Sequence, residues 1–327
     1  MASLPVIKIA FADIPYSFAE IILNLVKDYY EFEICTKKDA DFVLHSVGGH
    51  EVLKYSGVRI FVTGENVCPN FQISDYALSF EKHAFGDRSA WLPLIKLYRD
   101  AYNFLKEERR DASEVLDSKS EFCAYVMSNS NGSATERELI FDKISSYKKV
   151  NSGGKWRNNT GIPVLDKLQF QRNHKFVIAF ENYSYPGYLT EKFAEAAYAE
   201  AIPIYWGDPK IDEVFNTKAF INCHDYDSFD QVVEEIKRLD NDDAAFCSML
   251  REPWFKNGAE PENLSNGHYV NFLRNIFDQS PKDAFRRNRG RWGLKIEKQL
   301  YQMAHKPGMH ALFMIQKWWH RLRKGNL

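Results

Sequence analysis

The sequence predicts an α/β protein built from two doubly wound halves, and three observations lead there. At 327 residues the chain exceeds ordinary single-domain size. Short β-branched and aromatic runs alternate with helical apolar spacing through the first hundred residues. From residue 122 the same alternation starts again.

The elements follow in order. Residues 5–11 form a first strand, and SFAEIILNLVKDYY (17–30) has the spacing of an amphipathic helix. DFVLHSV (41–47) and VRIFVT (58–63) read as strands, with a short helix over 50–55 between them. Residues 98–120 are charged and without strand signature, which predicts the inter-domain connection. The second series has a strand at 122–127, a polar loop at 128–132 and a helix over 135–144. A strand at 148–150 precedes the flexible Ser152-Gly153-Gly154, and strand 219–223 and helix 228–239 close the series. The predicted domains are 1–117, 118–280 and a basic helical segment over 281–327.

Composition is that of a folded soluble protein, 45% hydrophobic and 27% charged, with 15% aromatic residues that suit a core and also suit sugar or base stacking. Five Cys without CxxC spacing predict reduced thiols. No basic-then-apolar leader and no run near ~20 apolar residues is present, which predicts neither signal peptide nor membrane-spanning anchor. The net charge of −1 hides an asymmetry. From Lys282 onward there are twelve Lys and Arg against Asp283 and Glu297, a net +10 that leaves −11 on the rest. Within that tail, ALFMIQKWWHRLR (311–323) interleaves Leu312, Phe313, Ile315, Trp318, Trp319 and Leu322 with Lys317, Arg321 and Arg323. Such a helix suits an anionic lipid interface; a solvated or domain-packed helix is the alternative, and no nucleic-acid motif accompanies the charge.

The most informative stretch is FVIAFENYSYPGYLTEKFAEAAYAEAIPIYWGDPK (176–210). An apolar run ends in a polar loop with Gly187, a helix opens on Thr190-Glu191-Lys192, and a second apolar run follows. Free N–H groups and the dipole at a helix start favour an anion. There Lys192 would neutralise phosphate and Glu191 would accept from ribose hydroxyls. A plain cap with a solvated Glu/Lys pair is the alternative from composition alone. Neither a Walker A loop nor GxGxxG is present, which argues against a P-loop enzyme and a standard dinucleotide fold.

FENYSYPGYLTEK followed by IPIYWGDPK closely resembles the donor-site signature of the α1,3-fucosyltransferases of glycosyltransferase family 10, its bacterial members above all. VTGEN (62–66), FCAYVMSN (122–129), SGG (152–154) and FIN (220–222) match further family segments in the family order. The resemblance covers about residues 58–230 and implies a GT-B fold. Its two Rossmann-like domains face a cleft, acceptor side first and donor side second, with a basic amphipathic C-terminal helical tail. By motif position it places Asn182, Tyr188, Glu191 and Lys192 on the nucleotide diphosphate and ribose of GDP-fucose. Arg137 would lie on the phosphates, although SATERELIFDKI departs from the family pattern more than the main motif does.

The resemblance makes Glu65, after the strand at 58–62, the general base of an inverting transfer. Strand ends are also where α/β enzymes place reactive groups. The implied reaction moves L-fucose to O3 of GlcNAc in N-acetyllactosamine or Lewis-type glycans, as in lipopolysaccharide O-antigen. An α1,4 or dual-specificity enzyme and a non-catalytic nucleotide-sugar or glycan-binding relative are the alternatives. No cofactor is expected, with a divalent cation at most stimulatory. Asp39-Ala40-Asp41 and Asp225-Tyr226-Asp227 are DxD tripeptides read as chance. The expected place is the cytoplasm, peripherally on the inner face of the membrane through the tail. No repeats precede that tail, which leaves repeat-mediated dimerisation without support.

Overall fold

The computed structural model of the chain describes residues 3–36, 39–128, 133–287, 290–306, 308, 312, 315 and 319. These divide into two compact units. One comprises residues 1–79, 84–90 and 269–327, the other 80–83 and 91–268.

The first unit opens with strand β1 (Val6–Ala12), helix α1 (Tyr16–Leu23) and strand β2 (Glu31–Ile34). Strands β3 (Phe42–His45), β4 (Val58–Val62), β5 (Tyr76–Ser79) and β6 (Ser89–Trp91) follow. They form one sheet in the order β2-β1-β3-β4-β5-β6, and the pairs from β2 through β5 are parallel. β3, β4 and β5 are buried along their whole length, as strands covered on both faces must be. The expected helix over 17–30 is shorter. After Leu23 the N–H groups of Leu25 and Val26 bond three residues back, so the chain closes into turns, while Val26 and Tyr30 still reach the core. Between β3 and β4 the residues expected as a short helix form the 3-10 turn Glu51–Lys54.

The second unit begins with helices α2 (Arg99–Phe104) and α3 (Ala112–Asp117). Residues 98–120 are therefore not the expected inter-domain connection. Ala101, Tyr102, Leu105, Ala112 and Val115 are buried, so the charges that suggested a linker coat the outside of two short packed helices. Next come β7 (Glu121–Tyr125), α4 (Glu136–Tyr147), β8 (Val150–Ser152), α5 (Lys167–Arg172) and β9 (His174–Phe180). Helix α6 (Glu191–Tyr198), β10 (Ile202–Trp206), β11 (Ile221–Asn222), α7 (Phe229–Asn241) and α8 (Asp243–Arg251) complete the series. The sheet runs β11-β10-β9-β7-β8, parallel throughout. β9 lies at its centre, and the stretch most informative in sequence is β9-loop-α6-β10.

Helix α9 (Asn266–Phe277) leads the chain back to the first unit, where α10 (Pro281–Ala284) and α11 (Arg291–His305) also lie. The boundaries expected at 117 and 280 therefore do not match the compact units, and the basic segment is no separate body through His305. Phe277 packs edge-on against Tyr30, Phe32 and Phe42. The buried Asp75 carboxylate accepts the N–H groups of Arg286 at 2.9 Å and Arg287 at 2.8 Å, and the Arg287 guanidinium at 2.5 Å. Arg59 pairs with Glu297 at 2.6 Å, and Leu300 and Ala304 pack beside the core residues Ala10, Val52 and Leu53. Several basic side chains are thus spent on internal acids. Most of 311–323 lies outside the described residues. Among the described residues no helix is long and apolar enough to cross a membrane.

His45 closes β3 in the same buried polar cluster, its Nε2 2.9 Å from Ser74 Oγ and its ring against Phe61. Burial, together with the charges of Arg59 and Arg287, pushes its pKa down to about 3. An unfolded histidine titrates near ~6.5, so the unfolded chain binds the extra proton first as the pH falls. This stabilisation is complete above pH ~6.5 and is lost progressively toward pH ~3. Roughly 2–3 kcal/mol should be gone by pH ~4.5. Urea unfolding at pH 7 and 4.5 checks this: His45→Gln should flatten the acid slope, and an unchanged slope would refute the assignment.

Candidate donor site

The site is built where β9 stops. HKFVIAF is a near-continuous buried run, and Glu181 extends it by donating its N–H to Trp206 O at 2.8 Å. The side chain that follows a core strand is then a carboxylate with no exposure to solvent. Such a group needs partners. Glu181 accepts the Thr190 N–H and the Thr190 hydroxyl, each at 2.6 Å, and the Lys192 ammonium at 2.9 Å. Gly207 is required beside it, because a Cβ there would sit 2.4 Å from Glu181 Cγ.

The loop between β9 and α6 is fixed by Gly187. Its φ of 87° is in the left-handed region, a Cβ would lie 2.2 Å from Phe80 O, and its carbonyl accepts Trp91 Nε1–H at 3.1 Å. Tyr188 next to it is buried, with its ring edge on Phe80. Helix α6 then starts at Glu191, its buried face made of Phe193, Ala194, Ala196 and Ala197. Thr190 occupies the cap position without capping, since its hydroxyl is turned to Glu181. The first turn of α6 therefore has no cap from Thr190 and, apart from the Glu191 N–H that its own carboxylate accepts, its N–H groups can meet an anion.

Lys192 is only partly exposed: its Nζ also donates to Thr190 Oγ1 at 2.8 Å and pairs with Glu191 at 3.4 Å. Burial opposes its charge, but Glu181 and Glu191 outweigh burial and raise its pKa. Burial likewise pushes the Glu191 carboxyl up, and Lys192, its own N–H, Lys167 and Thr190 together hold it below the usual carboxylate range. Both groups are charged at neutral pH. Beyond β10, Asp208 is buried, takes Lys82 Nζ at 3.2 Å, and its N–H donates to Tyr205 Oη at 2.8 Å.

Arg137 arrives from the first turn of α4. It is buried and donates from Nη1 to Asn182 Oδ1 at 3.1 Å, while Asn182 O accepts Ala134 N–H at 2.8 Å. Its Nε is buried with no partner among the described residues. A buried guanidinium N–H without a protein partner can donate to an anion. Residues 129–132 of the preceding loop lie outside the described residues. Gly154 lets the SGG segment press on the FCAYVMSN segment, since a Cβ there would fall 2.0 Å from Met127 O.

Five of the six expected residues, Arg137, Asn182, Tyr188, Glu191 and Lys192, thus belong to the second unit, with direct bonds joining Arg137 to Asn182 and Lys192 to Glu191. Glu65 belongs to the first unit. Its N–H donates to Thr63 Oγ1 at 3.0 Å, its carbonyl accepts Val67 N–H at 2.8 Å, and the side chain is exposed. Glu181 was not among the residues expected at the site, yet it holds Thr190 and Lys192 together. Its signal was present as a carboxylate directly after seven strand residues. Asp225 of the second DxD accepts Asn222 Nδ2 at 2.8 Å, and among the described residues no three His, Cys, Asp or Glu gather into a ligand set.

Two family models match the chain. The model of the C-terminal part of glycosyltransferase family 10 (fucosyltransferase) matches residues 116–265. That of the α-(1,3)-fucosyltransferase FucT N-terminal domain matches residues 9–98. The chain belongs to glycosyltransferase family 10. Among relatives of this family member, the α-(1,3)-fucosyltransferase FucT of Helicobacter pylori is 34% identical over 233 residues, 62% of this chain and 48% of that protein. Human GDP-fucose protein O-fucosyltransferase 3 is 26% identical over 221 residues, 63% of this chain and 43% of that one. This chain therefore spans about half the length of the curated relatives it matches, or less. A crystal structure of an α1,3-fucosyltransferase superposes with a TM-score of 0.74 at 28% identity, covering 85% of this chain and 92% of that one. The same kind of enzyme solved with GDP-fucose gives 0.72. Both parallel sheets thus agree with the GT-B fucosyltransferase fold.

Proposed function

We propose that the protein transfers L-fucose from GDP-β-L-fucose to O3 of GlcNAc in N-acetyllactosamine, with inversion. The observation that carries this reading is the helix start at Thr190–Lys192 together with the orphaned Nε of Arg137, whose guanidinium is bonded to Asn182 just past the end of β9, inside the matched family segment. Arg137, Lys192 and the N–H groups of α6 meet the diphosphate charge, and Glu191 accepts from the ribose. This assignment uses no resident metal. The Glu65 carboxylate takes the proton from the acceptor O3–H as the O3–C1 bond forms. The C1–O bond on the opposite face breaks with its electron pair going to GDP, whose growing charge the cationic groups stabilise. One base suffices, because the leaving group is already a good one.

The relatives include a human 4-galactosyl-N-acetylglucosaminide 3-α-L-fucosyltransferase and a human GDP-fucose protein O-fucosyltransferase, so the test must offer both acceptor classes. GDP release from GDP-fucose should rise many-fold with N-acetyllactosamine and not with folded protein acceptors. Equal rates with and without saccharide would contradict the reading. GDP binding without turnover would favour the non-catalytic alternative. Product from a type-1 acceptor alone would favour the α1,4 linkage.

The same reading places the protein at the inner face of a membrane, where Lewis-type or O-antigen saccharides are assembled. The basic, aromatic segment 311–323 suits that place. Deletion after residue 305 is expected to reduce co-sedimentation with anionic vesicles and to leave GDP release intact. Equal sedimentation of both forms would refute the membrane role.

A further inference from the structure

In the first unit, β1, β3 and β4 are neighbours in the sheet, and the carboxyl ends of parallel strands are where α/β proteins bind ligands. After β1 the chain turns at Asp13, whose φ of 58° is a strained conformation for a side-chain-bearing residue. Its carbonyl accepts Gly48 N–H at 3.2 Å and its carboxylate accepts Val52 N–H at 3.1 Å. A Cβ on Gly48 would come within 2.6 Å of Asp13 O, and one on Gly49 within 2.4 Å of Asp13 Oδ1. The loops after β1 and β3 are therefore locked onto each other.

The locked turn delivers Tyr16, the first residue of α1. Its ring stands edge-on to Phe11 at 5.6 Å and 81°, yet 56% of the residue is exposed. The next two strand ends repeat the pattern, since Val47 after β3 and Val67 after β4 are each 44% exposed. Glu65 lies two residues before Val67, and His50 and Asn66 add polar groups. Apolar groups kept in water at three adjacent strand ends, on a strained and rigid frame, mark a binding surface rather than a core. An aromatic face flanked by aliphatic and hydrogen-bonding groups fits a pyranose ring, which has a C–H face and a hydroxyl rim. β1 and β4 are two strand spacings apart, about 10 Å, enough for a short saccharide with one end at Glu65.

We propose that Tyr16 is the stacking platform for the acceptor saccharide and a determinant of acceptor specificity. This rests on the reading of Glu65 as the base of the proposed fucosyl transfer. Tyr16→Ala should raise the KM for N-acetyllactosamine about tenfold while the KM for GDP-fucose stays put, and Tyr16→Phe should stay near the parent. Tyr16→Leu, which keeps apolar area without the ring, should resemble the alanine variant and guards against a folding artefact. Saturation-transfer NMR with N-acetyllactosamine reads the same contact without turnover. An unchanged acceptor KM in the alanine and leucine variants overturns the proposal, as does a phenylalanine variant as impaired as alanine. So does an effect confined to peptide acceptors, or a parent protein that binds no saccharide. A parent that binds the disaccharide through Tyr16 but transfers no fucose contradicts the proposed reaction and supports the platform.

Discussion

Glu65→Gln should lower kcat for fucosyl transfer by a factor on the order of 10²–10⁴, the usual contribution of a positioned general base. The side chain is exposed on a short turn whose geometry comes from backbone contacts to Thr63 and Val67, so the substitution should leave folding intact. Glutamine keeps the shape and removes the proton acceptor. GDP-fucose affinity should persist, because the residues proposed to hold the donor belong to the other unit. Steady-state kinetics with calorimetric GDP-fucose titration separates the two quantities. Turnover within twofold of the parent would remove Glu65 from the mechanism.

The second large effect concerns stability. Glu181 is fully buried and accepts three hydrogen bonds, one of them from a charged lysine that is itself mostly buried. Glu181→Ala leaves the Lys192 ammonium without its main counter-charge, and strands the Thr190 N–H and hydroxyl. Removing one partner of a buried pair costs about 3–5 kcal/mol. Denaturant unfolding should show that loss, together with lost GDP affinity as the α6 start relaxes. In Glu181→Ala/Lys192→Met the combined loss should be smaller than the sum of the single losses, since the double variant removes both charges and strands neither. Additive effects would show that the pair is not coupled. This arrangement also revises the expected task of Lys192. Its charge is shared with Glu181 before any phosphate arrives, which holds the ammonium in place at the helix start.

Much of this was legible in the chain. The strands at 41–47 and 58–63 and the strand-loop-helix-strand of 176–210 were readable because buried parallel strands are written as continuous apolar runs, and the strand at 5–11 through its apolar/polar alternation. Less readable were β2, whose EFEI is half glutamate because it is an edge strand, and the short β5 and β6. Residues 98–120 looked like a linker because charge was read without the period of Ala101, Leu105, Ala112 and Val115. The return of residues 269–305 to the first unit was invisible, since it depends on pairs such as Asp75–Arg287 and Arg59–Glu297 that lie more than two hundred residues apart. Within the proposed site, motif position suggested Arg137, Asn182, Tyr188, Glu191 and Lys192, which the structure places in one unit. The role of Glu181 emerged only from three-dimensional contacts, because a buried carboxylate and a capping one look alike in sequence.

The most direct test is the product itself. The protein, GDP-β-L-fucose and N-acetyllactosamine should yield a trisaccharide whose NMR spectrum shows fucose in α linkage to O3 of GlcNAc, with GDP released in equal amount. Absence of that trisaccharide, or fucose retained in β linkage, would contradict the account.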